Sequence, residues 1–194
     1  MNSSWYKAPG HLEGILRGIW TIKTDKSEDL DARVLPDATP YLVFQRDGTK
    51  LTSTDNAGVA WARCCLSGPR TKEFDVRIES SSHLFIVQLS SIGGLPVLGI
   101  PMKEVLDLCE DVTQVVDESS SMTELSDRLM GAPTEFECIK LLESWVATRI
   151  ASSSTNKIME QVIAEMNKTS GNCAVSSLAK QVDLSRRHLG RLVQ

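Results

Sequence analysis

The chain has 194 residues, 41% of them hydrophobic and 24% charged, with a formal net charge of −4. That length admits one large domain or two small ones and is enough to bury a substantial core. No apolar run reaches the roughly 18 residues of a membrane helix, and residues 1–10 lack the apolar stretch of a secretory signal, so a cytoplasmic protein with no membrane contact is expected.

The first half reads as short strands. In "GILRGIWTIKT", residues 14–24, Leu16, Trp20 and Ile22 alternate with Arg17, Thr21 and Lys23, and Gly18 interrupts the apolar set. This period of two predicts a strand with one face in the core. "YLVFQRDGTKLTS" has two apolar stretches around Asp47-Gly48, a hairpin signal. "GVAWARCCL", "FDVRIES" and "HLFIVQL" read as further strands, separated by the turn-rich "STDNAG" and "SGPRTK". Many short strands with turns between them point to an all-β sandwich or barrel over residues 1–100.

Near Gly93 the apolar period lengthens. "SIGGLP" reads as a turn from strand to helix, and Pro101 can open a helix over "MKEVLDLCEDV", because its missing N–H is not needed in a first turn. Ser121 to Glu124 and Thr134 to Glu137 both have capping-box spacing. The second opens "EFECIKLLESWVATRI", with Ile139, Leu142, Val146 and Ile150 on one stripe and Trp145 beside it. These stripes can be buried against the strands, against each other or against a second copy of the chain. Packing within the chain is the default, and a homodimer contact through one of them stays open. "IASSSTN" reads as a linker. After it, Ile158, Met159, Val162, Ile163 and Met166 mark another amphipathic helix ending near Gly171. The expected organisation is residues 1–100, 101–153 and 154–194.

Little in the chain points to catalysis. The five cysteines are odd in number, include the adjacent Cys64-Cys65 and form no C-x-x-C, so they read as small buried hydrophobes. His11 and His83 lack a second histidine two residues on, so no metal cluster and no cofactor are expected. "SIGGLP" has no Lys-Ser/Thr after it and is no phosphate loop. Arg70 in "GPR" reads as solvated, with an anionic ligand as the sharper alternative. Trp5, Trp20, Trp61 and Trp145 read as core, with one of Trp20 and Trp61 a candidate cavity wall.

The last residues, "AVSSLAKQVDLSRRHLGRLVQ", read as two short helices around a break at "VDL". Leu178, Ala179, Val182, Leu189 and Leu192 would face inward. Ser185 would cap the second helix, and Arg186, Arg187, His188 and Arg191 would lie outside, as in a recognition helix entering the major groove. From residue 155 onward the net charge is +3, against −7 before it, as expected of a DNA module joined to an acidic body. The bland alternative is a capped helix pair with a solvated basic face.

"SSLAKQVDLSRRHLGRLVQ" resembles the first helix-turn-helix of the AraC-type (AraC/XylS) transcription regulators at Leu178-Ala179, Ser185, Leu189 and Arg191. The front of the chain resembles the cupin-like sensor domain of one branch of that family, through "VLPDATPYLVFQRDG", "SGPRT" and "VQLSSIGGLPVLGIPMKEVLD". The sequence departs from the pattern at Asp183, often Gly, at Gly190, where a longer side chain is usual, and at Val193, usually Phe. The family's second helix-turn-helix is missing, which reads as an N-terminal fragment that binds DNA weakly by itself.

The resemblance implies an α+β chain: a cupin-like β-barrel, then linker and dimerisation helices, then the first, incomplete part of an all-α helix-turn-helix domain. It implies a regulator, not an enzyme, whose partners are DNA (through Ser185, Arg186, Arg187, His188 and Arg191), a small-molecule effector and a second copy of the chain. A cytosolic ligand-binding or protein-interaction module without DNA binding is the alternative, and a small cupin-type enzyme a third.

Overall fold

The alternating segments form two antiparallel sheets, and the helical segments cover one of them. The computed structural model describes the chain except residues 27, 47–48, 54–58, 117–118, 153–155 and 193–194. The Asp47-Gly48 hairpin expectation and Val193 therefore lie outside the described residues. The strands are β1 (Asn2–Lys7), β2 (Leu16–Lys23), β3 (Leu30–Val34), β4 (Tyr41–Arg46), β5 (Leu51–Ser53), β6 (Val59–Ala60), β7 (Cys64–Ser67), β8 (Phe74–Ile78), β9 (His83–Leu89) and β10 (Cys109–Asp111). One sheet runs β1-β2-β9-β4-β7-β10 and the other β3-β8-β5-β6. No strand pair joins the two sheets among the described residues, so the expected closed barrel is replaced by two facing sheets.

The six-stranded sheet is apolar on both sides. Leu42, Phe44, Phe85, Val87 and Leu89 point into a core shared with the helices. Val43, Leu84, Ile22 and Ile86 point into a second core shared with Leu51, Phe74 and Val76 of the smaller sheet. Side chains alternate across a strand, so one segment such as "HLFIVQL" supplies both cores. The layers are thus small sheet, large sheet and helices.

The period of β2 breaks at one point. Leu16 pairs with Leu89 and Gly18 with Gln88, leaving Arg17 as the extra residue of a bulge. The bulge turns Leu16 toward the helices, opposite to Trp20 and Ile22, although simple alternation puts all three on one face. It also leaves Thr21, polar by pattern, buried on the helix side. Gly18 lies beneath Trp5: a Cβ there would meet the indole and the Tyr6 carbonyl oxygen at 2.5 Å.

The helices are α1 (Gly94–Leu98), α2 (Val112–Val115), α3 (Ser119–Gly131), α4 (Glu135–Ser152), α5 (Asn156–Lys168), α6 (Val175–Gln181) and α7 (Arg186–Leu192). In α4, Cys138, Ile139, Leu142, Trp145 and Val146 are buried, so the predicted stripe packs against the chain's own sheet. The Thr134 and Glu137 capping box is formed: each backbone N–H donates to the other's side chain, at 3.1 and 3.2 Å. Ser121 does not cap, because α3 has already begun at Ser119.

The helix expected after Pro101 does not form. Met102–Val105 makes a single 3-10 turn, Asp107 takes a left-handed conformation (φ 58°), and the chain then extends as β10 beside β7. Local propensity loses to long-range hydrogen bonding here. The Asp107 N–H donates to the Pro69 carbonyl (2.9 Å), and the Gly68 N–H to the Leu108 carbonyl (3.0 Å). The Asp107 carboxylate accepts the Thr71 N–H and hydroxyl, at 2.7 and 2.5 Å. The close approach requires glycine at 68, where a Cβ would lie 1.7 Å from the Val105 carbonyl oxygen.

A polar cluster anchors the start of α4 on the large sheet. Glu135 accepts hydrogen bonds from the Tyr6 hydroxyl (2.7 Å) and the Thr21 hydroxyl (3.0 Å) and pairs with the Lys23 ammonium at 2.7 Å. Arg46 donates to the Ala132 carbonyl at 2.8 Å just ahead of the helix. Burial pushes the Glu135 carboxyl up, but hydrogen bonds from Lys23, Tyr6 and Thr21 outweigh it and hold the group at about 2, from an ordinary 4.5. A folded-state value below the unfolded one means stabilisation that is complete above about pH 5 and lost as the pH falls toward 2. Glu135→Gln is therefore expected to lower stability at pH 7 by on the order of 2–3 kcal/mol in urea unfolding, with the gap nearly closed at pH 2. An equal gap at both pH values would contradict this.

Candidate functional site

Two features can carry function. The first is a cavity of about 460 Å³ between the sheets. Val43, Leu84 and Ile86 wall it on one side, and Leu51, Val76 and Ile78 on the other. Trp20 and Ile22 on β2 and Ala32 and Val34 on β3 complete the lining. Both Trp20 and Trp61 line it, where the sequence pointed to one of them.

The tryptophans divide otherwise than expected. Trp145 is buried, but Trp5 and Trp20 form an exposed pair with ring centroids 4.8 Å apart. Trp61 stacks on Phe74 at 6.1 Å.

Arg70 is held, not solvated. Its guanidinium lies 4.1 Å from the Phe74 ring centroid and donates to the Asp107 carbonyl at 2.8 Å, while its backbone N–H donates to the Asp37 carbonyl at 2.8 Å. The "LPD", "GPR" and "VLD" segments thus meet at one end of the two-sheet body. Arg70 lines a separate cleft of about 470 Å³ with Cys65, Lys72 and Glu110. His83 begins β9, mostly buried, 4.6 Å from the Phe85 ring and 3.6 Å from Glu135. His11 is exposed in a 3-10 turn.

All five cysteines are free thiols, and Cys64, Cys65 and Cys138 are buried. No three His, Cys, Asp or Glu side chains gather as metal ligands among the described residues. No helix among them is long and apolar enough to cross a membrane.

The second feature is the helix pair at the C-terminal end. Leu178, Ala179 and Leu189 are buried with Val162 of α5, and Cys173 and Val182 pack against them. The side chains of Met159, Ile163 and Leu192 lie outside the described residues. Two left-handed residues set the corners. Gly171 (φ 77°) closes α5, its N–H donating to the Met166 carbonyl at 2.8 Å. Asp183 (φ 53°) closes α6, and the Leu184 N–H returns to the Ala179 carbonyl at 2.8 Å. Aspartate tolerates this conformation, so glycine is not required.

Ser185 then caps α7: its hydroxyl accepts the His188 N–H at 3.1 Å, and its carbonyl the Leu189 N–H at 2.9 Å. Ser185, Arg186, Arg187, His188 and Arg191 are all exposed. The five residues named from sequence therefore share one short helix and its cap, with the apolar side turned to α5 and α6.

Residues 5–111 match the family model described as a domain of unknown function, DUF6597. No curated protein matches the chain. Among solved structures, ToxT from Vibrio cholerae O395 is similar at 12% identity and a TM-score of 0.35, covering 89% of this chain and 72% of that one. The AraC-like transcriptional activator CuxR is similar at 10% identity and a TM-score of 0.30, covering 98% and 79%.

The helix pair responds to single substitutions in opposite directions. Ser185→Ala should lower its stability by about 1 kcal/mol through loss of the cap. Nothing lies within 4 Å of a Cβ at Gly190, so Gly190→Ala should raise it by about 0.5–1 kcal/mol. Amide hydrogen exchange across residues 175–192 measures both, and equal protection in the two variants would contradict the assignment.

Proposed function

We propose, from the premise that the chain belongs to the family described as domain of unknown function DUF6597, that it is an AraC-like DNA-binding transcription regulator and not an enzyme. The observation that carries this reading is the geometry of α6 and α7. A two-helix unit with a left-handed corner at Asp183 and a serine cap at 185 turns Arg186, Arg187, His188 and Arg191 outward together. Arginine side chains at the start of a helix can enter the major groove, bond guanine O6 and N7 in pairs and neutralise phosphate.

The two-sheet body is the cupin-like sensor in this reading, and the cavity between the sheets is where a small-molecule effector sits. An effector acts by binding one arrangement of sensor and DNA-reading helices better than another. The protein works in the cytoplasm, where its DNA is, and a second copy of the chain doubles the readers on a two-fold target.

Fluorescence anisotropy of a labelled duplex against salt concentration tests the reading. Affinity should fall steeply with salt. Replacing both Arg187 and Arg191 with Ala should weaken binding at least about tenfold and flatten the salt dependence by about one charge per lost phosphate contact. Unchanged affinity and slope would remove these residues from the interface.

A further inference from the structure

The cavity between the sheets has a chemical character that narrows what it can hold. Its walls are the aliphatic side chains of the second core with the rings of Trp20, Trp61 and Phe74. Two polar side chains, Tyr41 and Ser67, face it and are engaged elsewhere, while Arg33, between the inward Ala32 and Val34, borders it but turns its side chain to the outer face of the small sheet. The Arg33 guanidinium makes a two-pronged bond to the Asp75 carboxylate, at 2.8 and 3.0 Å, with Glu73 a further 3.5 Å contact. The Tyr41 hydroxyl donates to Asp37 at 2.6 Å and accepts from Gln88 at 3.2 Å. The Ser67 hydroxyl accepts from the Arg70 guanidinium at 3.4 Å. The Arg70 guanidinium lines the neighbouring cleft and is held by the Asp107 carbonyl, the Ser67 hydroxyl and the face of Phe74.

A ligand carboxylate or phosphate entering this space would leave water and find the one bordering cation, Arg33, turned outward and bound to two carboxylates. Burying a charge without a partner is heavily unfavourable. An apolar or aromatic body loses nothing polar on entry and gains contact with aliphatic and ring surfaces.

We infer that the inter-sheet cavity is a binding site for an uncharged apolar small molecule, aromatic or aliphatic. The inference rests on the sensor reading of the two-sheet body and adds the class of molecule sensed. Trp20 and Trp61 in the lining give the site a built-in optical signal.

A matched pair of probes tests the charge rule. N-phenyl-1-naphthylamine is neutral, and 1-anilinonaphthalene-8-sulfonate is the same skeleton bearing an anion. On the full chain the neutral probe should brighten and saturate at one per molecule, and the sulfonate should bind at least about tenfold more weakly. Ala32→Trp, which fills part of the cavity, should reduce neutral-probe affinity at least about tenfold with the melting temperature retained. If that variant does not fold, energy transfer decides. Bound neutral probe should quench tryptophan emission in the unsubstituted chain, and the quench should shrink in Trp61→Phe.

Equal binding of both probes would overturn the uncharged class while leaving a ligand-sensing body. Binding of neither would overturn the inference and the effector role of the cavity together, with the DNA measurement standing apart. Neutral-probe binding unaffected by a folded Ala32→Trp, or quenching unaffected by Trp61→Phe, would place the probe elsewhere and overturn it too.

Discussion

The central strands β2, β9 and β4 must bury both of their faces, and the rest of the β and helical body follows from that constraint. In β9, Phe85, Val87 and Leu89 point one way and Leu84 and Ile86 the other. A strand of this kind is stable only with a covering layer on each side. The small sheet supplies one layer, and α1 to α4 supply the other. The α4 stripe is consumed in this role: Ile139, Leu142, Trp145 and Val146 are buried in the chain's own core, while Phe136 stays exposed.

The two layers close differently, and that difference separates stability from room for a ligand. On the helix side, Leu42, Phe85, Leu142 and Val146 are fully buried, and Glu135, Arg46 and Lys23 fix where α4 begins. On the other side the small sheet offers short β5 and β6 and shares no strand pairing with the large sheet. A cavity therefore remains between the sheets, with Ile22 of β2 and Val34 of β3 in its lining. A closed barrel would instead have paired the edge strands of the two sheets.

The C-terminal helices follow a different economy. Among the described residues their core holds Val162, Leu178, Ala179 and Leu189, and local features shape the corners: a left-handed Asp183, a hydroxyl cap at Ser185 and a left-handed Gly171. Such a unit can present Arg186, Arg187 and Arg191 on a defined surface while owing little to the sheets for its shape.

Features governed by neighbouring residues were legible in the amino-acid order. The capping box at Thr134 and Glu137, the α4 stripe, the break at Asp183 and the cap at Ser185 each depend on residues within a few positions, so the five proposed DNA-contacting residues could be placed on one helix in advance. What was illegible depends on partners brought from far along the chain. Residues 102–112 carry a helical pattern, yet β7 offered an open edge with Gly68 and Pro69, and those hydrogen bonds drew them into β10. The Arg17 bulge reversed Leu16 because of its pairing with β9. Arg70 found Phe74 and Asp107, and Trp5 found Trp20 above Gly18, by the same long-range assembly. By itself, then, the sequence determined the α4 stripe and its capping box, the Asp183 corner, the Ser185 cap and the outward cations, because dihedral preference and helical period are local. Only the tertiary structure decided how the strands sort into two sheets and so where the cavity lies, because strand pairing satisfies backbone groups on segments that no local pattern links.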